Sequence, residues 1–412
     1  MSVKFRTATG LIAAAALLGA AGCSTPAAPP SGSAPAPSGS TAPVTNGVSQ
    51  VKVTLTNDGT DKCTSDFNTA AAGPVTFTVE NLSATSISEV ELQSELKILG
   101  EKENLAPGLP AARFTVTLYG GTYTLYCLGA TPETQPFTVT GQAAAPPSGS
   151  TSTLLNAGVK EYAAWVAGQA EEMRTAVTAL KTAVEGGDVA RAKAAYVNAR
   201  PFYEKIESDV EGFVMPGFKV DDNAGNLDYL IDMRASNLDE KVGWSGFHAV
   251  ERDLWKGGKI TASTKKYATD LDANVAKLGD VVKTLTYKPE DLANGAAALL
   301  EEVQSNKITG EEEEFSHIDL VDFAANVEGS RQAFAYLQPG LEKIDPALVA
   351  DVVKQFGNVD AALARLRDKA SPGGYLPWDE ANREKHRKEL SQAVLGLQQP
   401  MQKIAEKVAT AR

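Results

Sequence analysis

The chain has 412 residues, of which 43% are hydrophobic and 22% are charged, so it is long enough for two or three globular domains. Its 39 Lys and Arg against 51 Asp and Glu give a formal net charge of -12. This balance argues against nucleic-acid binding, which needs a basic surface, and favours cations or small ligands as partners. The three cysteines are too few for a small fold held together by disulfides.

Residues 1–22 have the pattern of a secretory signal peptide. A basic start precedes an apolar run from Leu11 to Ala21, which is too short to span a bilayer as a mature helix. The segment AAGC at 20–23 resembles a bacterial lipobox, with Ala20 where Leu is more usual. We therefore predict lipidation of Cys23 and an extracytoplasmic protein anchored to the cell membrane. Ordinary cleavage that leaves a free Cys23 is the alternative.

Two stretches rich in Ala, Pro, Ser, Gly and Thr separate the chain into regions. Residues 23–47 are predicted to form a flexible tether, and residues 141–153 a linker. Between them, residues 48–140 show apolar residues at every second position, as in Val75, Phe77 and Val79, with Gly and Pro turns between the runs. Short alternating strands at this spacing predict a small β-sandwich.

Residues 154–412 change to a helical period, with apolar positions 3.6 residues apart. Short connections that contain Gly and Pro predict a helical bundle domain. The predicted helices are 156–185, 188–212, 226–240, 243–256, 262–286, 288–304, 313–338, 346–369 and 379–410.

The sequence GFHAVE at 246–251 carries the clearest candidate for chemistry. His248 and Glu251 are three residues apart, so both project from one face of a helix. Imidazole and carboxylate ligands together suit a divalent or trivalent metal. A His-x-x-Glu pair alone is a weak signal, and a pair satisfied within the core is the alternative.

A second predicted helix places Glu204 and Glu207 three residues apart beside aromatic and apolar residues. If this helix packs against the first, the two pairs would complete a site of one histidine and three carboxylates. A solvated charged face is the alternative. The run EEEE at 311–314 precedes another predicted helix, where acidic residues favour the macrodipole, and one of them could also reach the metal. His386 lies in a charged stretch and receives no role.

Three segments resemble the imelysin-like domain of the EfeO family, the extracytoplasmic components of a bacterial iron-uptake system. They are residues 196–207, the segment GWSGFHAVERDLW at 243–255 and the segment ITGEEEEFSHIDLVDFAANVEG at 308–329. The order of a β-sandwich and then a helical domain behind a signal peptide is also similar. The resemblance implies binding of ferrous or ferric iron, hand-over to a membrane iron permease, and a haem peroxidase as a third member of the system.

Carried onto this sequence, the family's metal motif falls on His248 and Glu251, and its upstream acidic positions fall on Glu204 and Glu207. Further carboxylate ligands are not placed uniquely by the resemblance. Asp270 or Asp272 could follow the His-x-x-Glu helix, and a later ligand could lie among residues 311–314, with Glu311 and Glu314 as candidates. Phe315 stands where the family is expected to have Tyr, which removes a hydroxyl group from the third segment.

The sandwich resembles the cupredoxin-like domain that precedes the helical domain in this family, through residues 100–108 and the pair Cys63 and Cys127. A blue-copper centre needs two His and one Cys, and residues 24–150 contain no His and no Met. Two alternatives stay open. The cysteines could bind copper or iron together with nearby carboxylates, or they could form a disulfide, as an oxidising compartment favours. The carboxylates are Glu89, Glu91, Glu101 and Glu103.

The sequence therefore predicts a cupredoxin-like β-sandwich followed by an all-α imelysin-like helical bundle domain. The expected function is that of a lipid-anchored iron-binding protein that passes iron to a permease, with copper or zinc as other metals to test. A transport component of this kind is not expected to be an enzyme. The alternatives are a metallopeptidase, although the His-Glu-x-x-His motif is absent, a ferrous-iron oxidase that uses the sandwich, and a scaffolding lipoprotein.

Overall fold

A computed structural model describes residues 40–87, 89–94, 97–103, 105–142, 149–210, 213–219 and 222–411. The predicted signal peptide and Cys23 lie outside the described residues. In the part of the chain that the structure describes, no helix has the length and apolar character needed to cross a membrane.

Alternating apolar residues form the strands of a sandwich, as the period of two predicts. The strands are β1 (Val44–Thr45), β2 (Val48–Asn57), β3 (Asp61–Ser65), β4 (Thr69–Ala71), β5 (Gly73–Asn81), β6 (Val90–Ser94), β7 (Lys97–Lys102), β8 (Ala112–Leu118), β9 (Gly121–Tyr126) and β10 (Thr134–Thr140). One sheet has the order β1-β2-β5-β8 with β3 also paired to β2, and the other has the order β4-β10-β9-β6-β7.

Aromatic rings join the two sheets. Phe77 of β5 stacks on Phe114 of β8 at 5.0 Å and meets Phe137 of β10, on the opposite sheet, edge to face at 5.1 Å. All three rings are buried. Inward-facing residues of both sheets thus form one core, as a sandwich requires.

Helices follow from residue 150 onward. They are α1 (Ser150–Glu185), α2 (Val189–Glu204), α3 (Glu207–Val210), α4 (Leu227–Asp232), α5 (Gly246–Trp255), α6 (Ala262–Val282), α7 (Pro289–Glu302), α8 (Asp319–Ile344), α9 (Pro346–Ala364), α10 (Glu380–Met401) and α11 (Ile404–Ala409). The predicted order, a β-sandwich followed by an all-α helical domain, is confirmed.

Several helix boundaries differ from the prediction. The helix predicted over 188–212 ends at Glu204 and resumes as α3, and the one predicted over 226–240 ends at Asp232. The start of α1 at Ser150 lies inside the predicted linker. Helix α8 begins at Asp319 and continues through Pro339. Gly340 lies inside this helix and packs directly against Leu155 of α1, where a Cβ atom would overlap the leucine side chain.

The sandwich and the helical domain contact each other through β8 and α7. Asn294 of α7 pairs with the backbone of Thr115, accepting from its N–H at 3.3 Å and donating to its carbonyl at 2.6 Å. Lys102 of β7 forms an ion pair with Glu301 at 2.9 Å, with side-chain exposures of 1% and 6%. Separating a buried ion pair would leave a buried charge without its partner, which is strongly destabilising. These contacts therefore hold α7 of the helical domain against the sheet.

Candidate metal site

His248 and Glu251 lie one turn apart on α5 and are both buried, with exposures of 1% and 0%. Glu251 Oε2 lies 3.0 Å from His248 Nδ1. The other oxygen, Oε1, accepts hydrogen bonds from the backbone N–H groups of Phe315 at 2.8 Å and Ser316 at 2.6 Å. This carboxylate therefore joins α5 to the turn that precedes α8.

The four glutamates at 311–314 lie in that turn and not in a helix. Glu312 and Glu313 are buried, whereas Glu314 is exposed and Glu311 is partly exposed. Glu312 Oε1 lies 3.3 Å from His248 Nε2. Asp319 stabilises the turn, since its Oδ1 accepts from the N–H of Glu313 at 3.1 Å. The turn geometry lets two consecutive glutamates face the interior together.

Asp232 reaches the same place from the end of α4. Gly246, the first residue of α5, has φ +68°, and a Cβ atom there would overlap the carbonyl oxygen of Ile231. Only glycine tolerates both the backbone angle and this close approach. The contact brings Asp232 Oδ1 to 3.5 Å from His248 Nε2. Asp232 Oδ2 is buried and has no hydrogen-bond partner among the described residues.

Two groups of potential ligand atoms share His248, and the atoms of each group lie within 4.8 Å of one another. The first group is Asp232, His248 and Glu312, on the Nε2 side of the ring. The second is His248, Glu251 and Glu313, which includes the Nδ1 contact with Glu251. One imidazole among buried carboxylates is a donor set suited to a hard or borderline metal cation.

The buried carboxylates around His248 carry more potential negative charge than the nearby cations balance. Burial raises the pKa of Asp232 to about 7, and it raises the pKa of Glu313 well above its usual value. Burial by itself lowers the pKa of His248, but hydrogen bonds with two carboxylates raise it well above the usual value. Crowded carboxylates cannot all ionise in a buried space unless more positive charge is added.

A polar cluster occupies the interior of the helical domain around this site. Its members are exposed by 5% or less. They are Arg200, Glu204, Glu207, Asp232, His248, Glu251, Glu302, Lys307, Glu312, Glu313, Asp322 and Asn326. Carboxylates outnumber the fixed cations in this set, and burying unpaired charge is costly.

Arg200 of α2 is the central cation of the polar cluster. Its guanidinium forms ion pairs with Asp232 and Glu204, and lies 3.1 Å from Glu313 Oε1 and 3.2 Å from Glu312 Oε1. A planar guanidinium with five donors suits several carboxylates at once. Arg200 thus holds the ends of α2 and α4 and the glutamate turn around His248.

Glu204 and Glu207, predicted as metal ligands, lie in the polar cluster but contact other groups. Glu204 pairs with Arg200, and its Oε2 lies 3.2 Å from Lys307 Nζ. Glu207 Oε2 lies 3.3 Å from the same ammonium and accepts from Asn326 Nδ2 at 3.2 Å. Neither belongs to the two groups that contain His248.

The other carboxylates predicted to follow the His-x-x-Glu helix lie outside the site. Asp270 is partly exposed on α6 and pairs with Lys266 at 2.5 Å, and Asp272 pairs with Lys181 at 2.9 Å. Glu311 accepts from Ser236, and Glu314 faces solvent. The structure does not bring these residues to His248. In the turn it is the consecutive Glu312 and Glu313 that face inward, and spacing along the sequence does not identify which glutamates do so.

Cys63 and Cys127 form a disulfide in the sandwich. Bonded sulfur atoms are not thiolate ligands, so the alternative of a thiolate and carboxylate site does not fit this structure. Glu89, Glu91 and Glu101 bring carboxylate oxygens within 4.8 Å of one another. Glu103 instead forms a side-chain hydrogen bond with Glu302 of α7; burial raises the pKa of Glu103 well above its usual value.

The sequence analysis missed Asp232, Arg200 and Lys307. A signal was present for Arg200, which precedes Glu204 by four residues in an apolar and aromatic helix, where a charged residue is expected to be paired. Lys307 had no such signal, because the helix ends in a π-helical turn over Val303–Lys307 that turns its side chain inward.

Comparisons with known proteins identify a family and several relatives of this chain. The family model described as Imelysin, Peptidase_M75, matches residues 158–404. The iron uptake system component EfeO of Escherichia coli O6:H1 is 34% identical over 340 residues, which cover 82% of this chain and 86% of that protein. Proteins of the same name from Escherichia coli K12 and Shigella flexneri match with the same identity and coverage.

Two solved structures also align, at 16% identity each. A proposed iron-regulated protein A precursor from Parabacteroides distasonis has a TM-score of 0.49 over 66% of this chain and 98% of that chain. Reduced rusticyanin has a TM-score of 0.20 over 25% of this chain and 86% of that chain. The family model spans more than half of the chain and the EfeO proteins cover most of it, so this chain belongs to the imelysin family and is EfeO-like.

Proposed function

We propose that this protein is the extracytoplasmic iron-binding component of an iron-uptake system, and that it binds iron at His248. The observation that carries the proposal is the pair of buried ligand groups that share this histidine. The relatives named as iron uptake system components support iron as the cargo. Carboxylate-rich ligand sets also favour hard cations such as ferric iron over soft ones.

The ion is proposed to bind on the Nε2 side of the ring, with Asp232 and Glu312 as its carboxylate ligands. Asp232 Oδ2 supports this side, because it is buried without a hydrogen-bond partner among the described residues. On the other side, Glu251 already receives two backbone N–H groups and the ring nitrogen. Glu251 then orients the imidazole, as carboxylates hydrogen-bonded to the other ring nitrogen of a metal-bound histidine commonly do.

The test is iron titration of the mature protein, anaerobically with ferrous and aerobically with ferric iron, with zinc and copper as competitors. His248→Ala and Asp232→Asn should weaken iron binding by more than about 100-fold, which exceeds the usual effect of an outer-shell residue. The matched control is His386→Ala, at a partly exposed histidine on α10. Equal affinities of His248→Ala and His386→Ala would contradict the proposal.

Delivery to a membrane permease, together with a haem peroxidase, is proposed from the same family membership. Lipidation of Cys23 would keep the protein beside such a permease. Incorporation of a labelled fatty acid into the wild type, and none into Cys23→Ser, is the expected result. Growth on limiting iron should then depend on both His248 and Cys23. Label in Cys23→Ser equal to the wild type would remove the anchor from the proposal.

The alternatives predict other results. A zinc peptidase would cleave a peptide library in a metal-dependent way, although the two groups at His248 contain one imidazole each and neither includes His317. A ferrous-iron oxidase in the sandwich would need a redox metal that does not depend on Cys63 and Cys127, which are bonded to each other. A scaffolding lipoprotein would purify and titrate without a stoichiometric metal.

A further inference from the structure

Lys307 is surrounded by carboxylates in the polar cluster. Its side chain is 0% exposed. Nζ lies 3.2 Å from Glu204, 3.3 Å from Glu207, 3.3 Å from Glu312 and 3.5 Å from Glu302. An ammonium is a compact point charge with no planar geometry, so it can take the place of a small ion among oxygen ligands.

The oxygens around this ammonium are incompletely satisfied by hydrogen bonds. Glu204 Oε2 lies 3.2 Å from Nζ and has no hydrogen-bond partner among the described residues. Asn326 Oδ1 also has no such partner, and the Nδ2 of the same amide donates to Glu207. Asn326 is also fully buried. Hard metal cations bind carboxylate and amide oxygens of this kind, several at a time.

Glu312 connects this place to the metal site. Its Oε1 lies 3.3 Å from His248 Nε2, and its Oε2 lies 3.3 Å from Lys307 Nζ. A carboxylate with one oxygen towards each of two cation positions is the arrangement that bridges paired metals in carboxylate-rich helical proteins. Here one of the two positions carries a covalently attached positive charge.

We propose that the ammonium of Lys307 occupies a second metal position, formed by Glu204, Glu207, Glu302 and Glu312, and so limits the helical domain to one bound metal ion. The inference rests on the proposed function for the first ion, at His248. The second position would take a hard divalent or trivalent cation. This arrangement also explains why Glu204 and Glu207 are buried beside the metal site without belonging to either group at His248.

The test is the number of ions bound per chain in Lys307→Met, a neutral residue of similar length. Full-length protein is equilibrated with Mn²⁺, freed of excess metal, and measured by elemental analysis. Lys307→Met should hold one more ion per chain than the wild type, and Lys307→Met/Glu207→Gln should lose that ion. The matched control is Lys102→Met, which removes a buried lysine paired with Glu301 and should add none.

The His248→Ala/Lys307→Met double variant separates this inference from the proposed function. It should keep the additional ion while losing the ion at His248. If His248→Ala leaves the wild-type count unchanged, the proposed function is wrong, yet an additional ion in Lys307→Met would still support the second position. An ion count in Lys307→Met equal to those of the wild type and Lys102→Met overturns the inference.

Removal of Lys307 leaves buried carboxylates without their counter-ion, so the variant can unfold without metal. If the variant is unfolded without metal, its refolding in the presence of Mn²⁺ is measured in place of the ion count. Recovery of helical circular dichroism with Mn²⁺, but not with the same ionic strength of Na⁺, supports the inference. Equal recovery under both conditions overturns the inference, because folding would then not require the metal. Recovery under neither condition, while Lys307→Arg folds normally, also overturns it, because the position would then require a fixed side-chain charge and not a metal.

Discussion

Glu251 connects two elements of the candidate metal site, α5 and the turn before α8. One of its oxygens lies 3.0 Å from His248 Nδ1, and the other accepts from the N–H groups of Phe315 and Ser316. The same side chain therefore orients the imidazole on α5 and ties down the turn that carries Glu312. A change at Glu251 should affect the geometry of the whole site.

We expect Glu251→Gln to lower iron affinity by about 10–100-fold, since the amide loses the charge that supports the imidazole while it keeps the side-chain size. Isothermal titration calorimetry with iron measures the change in affinity. Glu314→Gln is the matched control, because Glu314 is exposed in the same acidic run. Similar affinities in the two variants would show that Glu251 does not position His248.

Loss of the disulfide should destabilise the sandwich without affecting the metal site. Cys63 and Cys127 are separated by 64 residues. Closing a loop of that length restricts the unfolded chain by about 4 kcal/mol in the chain-entropy model. Cys63→Ser/Cys127→Ser should unfold at lower denaturant concentration, while iron affinity stays at the wild-type value. A loss of iron binding in this variant would assign metal binding to the sandwich.

The pH dependence of stability should contain a contribution from Asp209. Its Oδ2 accepts from the Tyr162 hydroxyl at 2.6 Å, and burial raises its pKa to about 7. The unfolded chain binds fewer protons than the folded protein between the two pKa values. The free energy of unfolding should therefore fall as pH rises from about 4 to 7, by up to about 1.4 kcal/mol per pH unit from this group.

Denaturant titrations across this pH range measure the slope, and Asp209→Asn should flatten it. Asp345→Asn is a control of opposite sign, since a hydrogen bond from Lys407 lowers the pKa of Asp345. Its contribution is present at neutral pH and lost in acid. An unchanged slope in Asp209→Asn would mean that folding does not raise the pKa of Asp209.

Gly329 on α8 is required by close packing. A Cβ atom there would overlap the carbonyl oxygen of Lys205, next to Glu204 and Glu207. Gly329→Ala should cost about 1–3 kcal/mol, because α8 must move away from the end of α2. Gly357→Ala on α9 meets no atom within 4 Å and should be stabilising by roughly 0.5–1 kcal/mol. Thermal unfolding compares the two, and equal shifts would contradict the packing argument.

Local periodicity was sufficient to predict the two kinds of domain and their order. Alternating apolar residues such as Phe77 follow directly from the pleat of a strand, and the helical period of the second half follows from one buried face. Helix ends were less predictable: α8 continues through Pro339 and Gly340, and Gly340 packs against Leu155 of α1, a tertiary contact that no local pattern contains.

By itself, the sequence determined the β-sandwich and helical order, the family, and His248 with Glu251 as neighbours on one helical face, because each depends on residues close together in the chain. Tertiary structure alone decided which distant carboxylates meet His248, that Lys307 engages Glu204, and that Arg200 engages Asp232. Those pairings join residues as far apart as Lys307 and Glu204. They depend on packed helices and on turns that face two of four consecutive glutamates inward, which side-chain spacing does not encode.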